Sequence, residues 1–170
     1  MTGDTSILGS LHAVDGEGVV RMEHRFDTTV DDLWGAITDP ARLAGWYGEV
    51  EGKLAQGADF RVRIALSGER NGHVEACEPP RRLLLTMRDP DRRPGQPEQT
   101  VNAAELTAEG ARTKLDWEVR GLPVELLPAY GAGIQIHVEH LADYLGGREL
   151  RDVEPRWNEL FAAYEAVGVG

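Results

Sequence analysis

One long amphipathic segment, Pro128 to Leu145, arrives only after a series of alternating, strand-like segments. That order constrains the fold more than any other feature. On a helical wheel with Tyr130 as origin, Ile134, Leu141 and Leu145 fall within about 60° and Val138 at about 80°. His137 lies inside the same apolar arc, at about −20°. Gly146-Gly147 ends the helix. Strands joined by hairpins pair antiparallel, so one helix must cover one face of their sheet. The fold class expected is α+β: a curved antiparallel sheet of six to seven strands around a long C-terminal helix, plus an extra terminal helix.

The elements before it read as follows. Gly18 to Phe26 alternates, with Val20, Met22, His24 and Phe26 on one face. The period then changes: Val30, Leu33, Trp34 and Ile37 recur at helical spacing, with Thr29 as N-cap and Asp31-Asp32 at the positive end of the helix dipole. Asp39-Pro40 stops this helix and starts a short second one. Strands are expected over 50–54, 60–66, 72–78, 83–87, 100–107 and 113–119. The Asp89 to Pro97 stretch, with three prolines, is a long hairpin tip. A last helix from Glu154 to Val167 carries Trp157, Leu160, Phe161 and Tyr164 on one side. That stripe needs an apolar partner, either the outer surface of the domain or a second copy in a homodimer. The organisation expected is a leader (1–16), one domain (17–147) and a helical extension (148–170).

Composition narrows the function. The formal net charge of −11 over 170 residues repels phosphate backbones, so nucleic acid is not an expected partner. No run approaches the ~20 apolar residues of a membrane span, so membrane insertion is not expected. Met1 to Asp15 lacks a basic region followed by an apolar run, and Cys77 is the single cysteine. Both features fit a reducing, cytoplasmic setting.

Several motifs together resemble a family. Phe26-Asp27-x-x-x-Asp31-Asp32-Leu33-Trp34-x-Ala36-Ile37-Thr38-Asp39-Pro40 precedes Leu43-x-x-Trp46-Tyr47. Glu51-Gly52-x-Leu54 and Phe60-Arg61 follow, then Gly72-x-Val74-x-x-Cys77-Glu78-Pro79-Pro80-Arg81-Arg82-Leu83. Further on stand Leu106-Thr107-x-Glu109-Gly110-x-x-Thr113, Gly121-Leu122-Pro123 and Tyr130-x-Ala132-Gly133-x-x-x-His137-Val138-x-x-Leu141-x-x-Tyr144-Leu145. The chain resembles the SRPBCC (START-like) superfamily, in the branch related to the C-terminal domain of the activator of heat-shock-protein-90 ATPase. The resemblance implies a helix-grip fold enclosing an apolar cavity. Its members include lipid carriers, aromatase/cyclases, resistance proteins and co-chaperone domains. Against the family pattern, Ile134 replaces a Trp, Met87 stands where an aromatic is common, and Asn102 and Ala104 replace large apolar residues. These exchanges enlarge or reshape the cavity, and Trp117 refills part of it.

Inward parity gives the expected cavity wall. Phe60 and Val62 come from one strand, Leu85 and Met87 from the next, and Asn102, Ala104 and Leu106 from a third. Leu115 and Trp117 belong to the last strand. Tyr130, Ile134, His137, Val138 and Leu141 face them from the long helix, and Trp46 stands at the mouth. The expected ligand is a small apolar or amphipathic molecule held by a carrier, sensor or sequestering protein, with no cofactor. Two alternatives remain: a cavity enzyme of the aromatase/cyclase or hydrolase kind, and a co-chaperone-like interaction module. The enzyme reading takes His137, His73 and Glu75 as acid and base. His73, Glu75 and Cys77 share one strand parity, and burial of Cys77 would carry the other two inward. His137 and His140 are spaced like a metal pair, but spacing supplies no third ligand, and no metal is expected. Asn102, if inward, must hydrogen-bond backbone, water or ligand.

Overall fold

The computed structural model describes residues 7–170. Eight strands form one antiparallel sheet: β1 (Gly9–Val14), β2 (Glu17–Phe26), β3 (Gly48–Gly52), β4 (Asp59–Ile64), β5 (Gly68–Glu78), β6 (Arg82–Arg88), β7 (Thr100–Glu109) and β8 (Arg112–Leu122). Their spatial order is β1-β2-β8-β7-β6-β5-β4-β3. All pairs are sequence neighbours except β2 with β8, which closes the meander by pairing Val20 with Val119 and Met22 with Trp117. Among the described residues four α-helices complete the fold, α1 (Val30–Thr38), α2 (Pro40–Leu43), α3 (Leu127–Leu145) and α4 (Val153–Val167), with a 3-10 turn over Val124–Leu126 leading into α3. α3 crosses the concave face, which is the helix-grip arrangement.

The local signals act as their chemistry dictates. Thr29 caps α1 by accepting from the Asp32 N–H, and Asp39 caps α2 from Ala41. Trp46, just past α2, donates its indole N–H to the Ala36 carbonyl at 3.0 Å and ties the two helices together. Gly131 lets α3 approach β1 and α4 closely. A Cβ there would lie 3.0 Å from Leu11 and 3.2 Å from Tyr164.

The sheet has more strands than the six or seven expected because Gly9–Val14, inside the expected leader, is strand β1. Leu11 at its centre is buried against the core. A two-residue turn at Asp15 and Gly16, with φ of 51° and 81°, joins it to β2. Residues 1–6 of the leader lie outside the described residues.

α4 packs along the flank of α3 beside β1 and β2, where the Tyr164 hydroxyl also reaches the Met22 sulfur at 3.5 Å. Leu160 and Tyr164 are fully buried, and Trp157 stacks on Phe161 at 4.9 Å. The partner that this stripe demanded is therefore within the chain. Polar groups on that face are bonded in sequence. Tyr164 donates its hydroxyl to Gln135 at 2.6 Å, and Gln135 donates to Glu139 at 3.0 Å. Glu139 accepts two bonds from Arg156, at 2.6 and 2.9 Å. One turn further on, Asp143 holds Arg151 in the same forked way, at 2.7 and 2.9 Å. These guanidinium contacts, with a bond from Gln135 to Glu139, hold both carboxyls below their ordinary values despite burial. The chain end bridges back to β1, where Val169 pairs with Leu11.

Candidate functional site

Between α3 and the sheet lie two adjoining chambers. The inner one has about 80 Å³ of free space and an almost wholly apolar wall. Phe60, Val62, Leu85, Ala104 and Leu115 line it from the strands, Val138 and Leu141 from α3, and Trp46 from the turn after α2. Phe60 reaches this position because its cross-strand partner is Gly72, where any Cβ would collide with the ring. The outer chamber, about 130 Å³, is bordered by Tyr130, Ile134 and His137 of the first half of α3. Ser67, Asp89 and Gln96, from the β4–β5 and β6–β7 turns, with Arg70 of β5 and Thr100 of β7, add a polar side. Tyr47, Met87, Asn102 and Trp117 line both chambers and form their junction.

Most of the expected wall is thus brought together, divided between two compartments. Leu106 is the exception. It has the inward parity, but it is filled in by the core around α1 and borders neither chamber. Ile37, Leu43, Tyr47, Val50, Leu54 and Leu83 line the inner chamber beyond the expected set. Of these, Tyr47 follows Trp46 at a ring distance of 5.3 Å and lies 4.8 Å from His137. Burial pushes its hydroxyl up to about 12, with Arg70 pulling slightly the other way.

His73 and Glu75 are corrected by the structure. Both sit on the outer face of the sheet, where His73 bonds Asp59 at 2.7 Å and Glu75 comes within 3.9 Å of the other ring nitrogen. The cause is a β-bulge: Val74 pairs with Leu85 and Ala76 with Leu84, leaving Glu75 unmatched. The extra residue reverses the parity beyond it. Cys77 does turn inward, packing against the cluster of Phe60 and Leu83, but it no longer shares a face with His73. Burial raises its thiol above the ordinary value, which disfavours the thiolate.

His137 is the chemically unusual group. It is buried, and its Nδ1 has no hydrogen-bond partner, alone in this respect among fully buried side-chain nitrogens and oxygens of the described residues. Burial, and then the nearby His140, hold its imidazole down to about 3, so it is uncharged at neutral pH. His140 points elsewhere and bonds the Arg151 carbonyl at 3.0 Å. The two histidines therefore diverge. Among the described residues no cluster of three or more His, Cys, Asp or Glu is arranged to hold a metal.

Asn102, the buried amide without an obvious partner in the sequence, accepts from the Trp117 indole at 3.1 Å. Arg70 is engaged by Asp89 at 3.7 Å and by the Ser67 and Glu69 carbonyls at 3.1 and 2.7 Å. No helix of the described residues is long and apolar enough to cross a membrane.

CalU16 from Micromonospora echinospora superposes with a TM-score of 0.74 at 25% identity, over 94% of each chain. DynU16, a protein of the dynemicin biosynthetic locus, matches with a TM-score of 0.69 at 28% identity. That match covers 79% of this chain and 49% of the longer DynU16 chain. MLL2253 from Mesorhizobium loti gives 0.68 at 26% identity, over 78% of this chain and 99% of its own. No curated protein matches. The family profile described as activator of Hsp90 ATPase homolog 1-like protein matches residues 27–146, well over half of the sequence. The chain therefore belongs to the activator of Hsp90 ATPase homolog 1-like family of SRPBCC-type proteins.

Proposed function

We propose that the protein binds a small amphipathic molecule between α3 and the sheet, its apolar part in the inner chamber and its polar part in the outer one. The observation that carries this reading is the pairing of an apolar void with a buried, unpartnered imidazole at its polar end. A void in a core forfeits dispersion contacts, and an unsatisfied buried nitrogen costs about 1–3 kcal/mol. A ligand that fills the void recovers those contacts, and its polar part meets the imidazole edge that borders the outer chamber.

Carriage is favoured over catalysis. The acid–base set His137, His73 and Glu75 is split across opposite faces of the sheet. His137 alone, with an imidazole pulled down to about 3, is a weak base at neutral pH. The kinship with a protein of a biosynthetic locus supports a small-molecule ligand. A reducing, cytoplasmic setting fits the single free thiol of Cys77. The test is calorimetric titration with naphthalene. Wild type should bind, and Ala104→Phe, which places a ring in the inner chamber, should bind at least ~10-fold more weakly. Equal affinity for the two proteins would refute the cavity reading.

A further inference from the structure

The polar end of the site specifies more than polarity. A neutral imidazole offers one donor and one acceptor. Nδ1 of His137 has no accessible surface and no partner, so the ring borders the outer chamber through the edge that carries Nε2. An orphaned buried N–H is rarer in proteins than an orphaned acceptor. The proton therefore belongs on Nε2, where it is a donor turned toward the chamber. Asn102 supplies a second donor. The Trp117 indole can only donate, so the Asn102 oxygen faces it and the carboxamide NH₂ turns the other way, at a residue shared by both chambers.

Charge matching narrows the choice. Arg70, the guanidinium at this end, is neutralised by Asp89 and bonded to two carbonyls. A carboxylate head would lose its hydration without meeting an available cation. An ammonium head would meet the donors of His137 and Asn102, and would compete with Arg70 for the Asp89 carboxylate. Size sets the other limit: cavities of about 150 Å³ hold benzene, and the joined chambers offer about 80 and 130 Å³. Resting on the cavity reading above, we infer that the ligand presents an uncharged oxygen acceptor, a ketone or hydroxyl carried on one or two fused rings, to His137 and Asn102.

Three probes of one skeleton test this: naphthalene, 2-acetylnaphthalene and 2-naphthoate, the last two nearly equal in shape and differing in charge. In calorimetric titrations of wild type, the ketone should bind at least ~10-fold tighter than either of the others. His137→Phe should bring the ketone's advantage over naphthalene, measured within that variant, below ~3-fold. If naphthalene and the ketone bind wild type alike, or if naphthoate binds best, the acceptor-head inference is overturned while the cavity reading stands. A ketone advantage that survives His137→Phe also overturns it. Should that variant not fold, the wild-type series decides. If none of the three binds, the cavity reading itself fails.

Discussion

The two faces of α3 carry polar side chains under opposite regimes. Toward α4, Gln135, Glu139 and Asp143 are buried, yet each is bonded and each carboxylate has an arginine. Toward the sheet, His137 is equally buried, uncharged and unpartnered at Nδ1, beside space that the protein leaves unfilled. One helix thus holds a satisfied network and, two residues from Gln135 and from Glu139, an unsatisfied group. The difference separates structure from proposed binding: satisfied groups fix the position of α4, and the unsatisfied one borders the chamber proposed above as the ligand site.

The largest expected effect lies on the satisfied face. Arg156→Met leaves Glu139 buried without its forked partner, and urea denaturation should show a loss of about 3–5 kcal/mol. Adding Glu139→Gln should recover part of it. A loss below ~1 kcal/mol would mean that this pair behaves like a surface ion pair and that the contrast between the faces is false.

The next effect is on the chamber face and depends on pH. His137 has its folded value lowered from 6.5 to about 3. Below about 6.5 the unfolded chain takes up a proton that the folded chain refuses, so stability falls with pH from there until about 3. The slope is about 1.4 kcal/mol per pH unit at most. Glu139 and Asp143, also lowered, lose their contributions only further down, as pH falls through their folded values. His24, lowered chiefly by burial, titrates alike in both proteins compared. Between pH 6.5 and 5, His137→Phe should therefore lose about 2 kcal/mol less than wild type. Identical slopes would show that His137 takes its proton without penalty.

Smaller effects follow. Ala104→Phe should change stability by less than ~1 kcal/mol in either direction, because the ring enters existing space; a loss above ~2 kcal/mol would show that the chamber is already filled to tolerance. His73→Ala, on the outer face, should stay within ~0.5 kcal/mol and leave naphthalene affinity unchanged. A fall in that affinity would return His73 to the site.

Some of this was legible in the sequence, for identifiable reasons. The inward residues of β4, β6, β7 and β8 follow strict alternation, and α3 keeps its apolar arc, so the chamber wall could be read by parity. Parity fails where a residue is inserted. Nothing in Gly72-His73-Val74-Glu75 announces the bulge that parts Cys77 from His73. Strand β1 has a signal of its own, Asp15-Gly16 between short alternating runs, which is a strong hairpin signature. The network behind α3 was not legible, because Glu139 and Asp143 meet Arg156 and Arg151 only once α4 and the segment before it fold back onto α3. Leu106 shows the limit of alternation: facing inward does not distinguish a wall of the chamber from the packed core beside it.

The four tryptophans allow the most direct test. Trp46 and Trp117 line the inner chamber, and Trp157 stacks on Phe161 in α4. In a heteronuclear NMR titration with 2-acetylnaphthalene, the indole N–H signals of Trp117 and Trp46 should shift in proportion to occupancy while that of Trp157 stays in place. Movement of Trp157 with Trp117 and Trp46 unmoved would put the ligand on the other side of α3 and contradict the account.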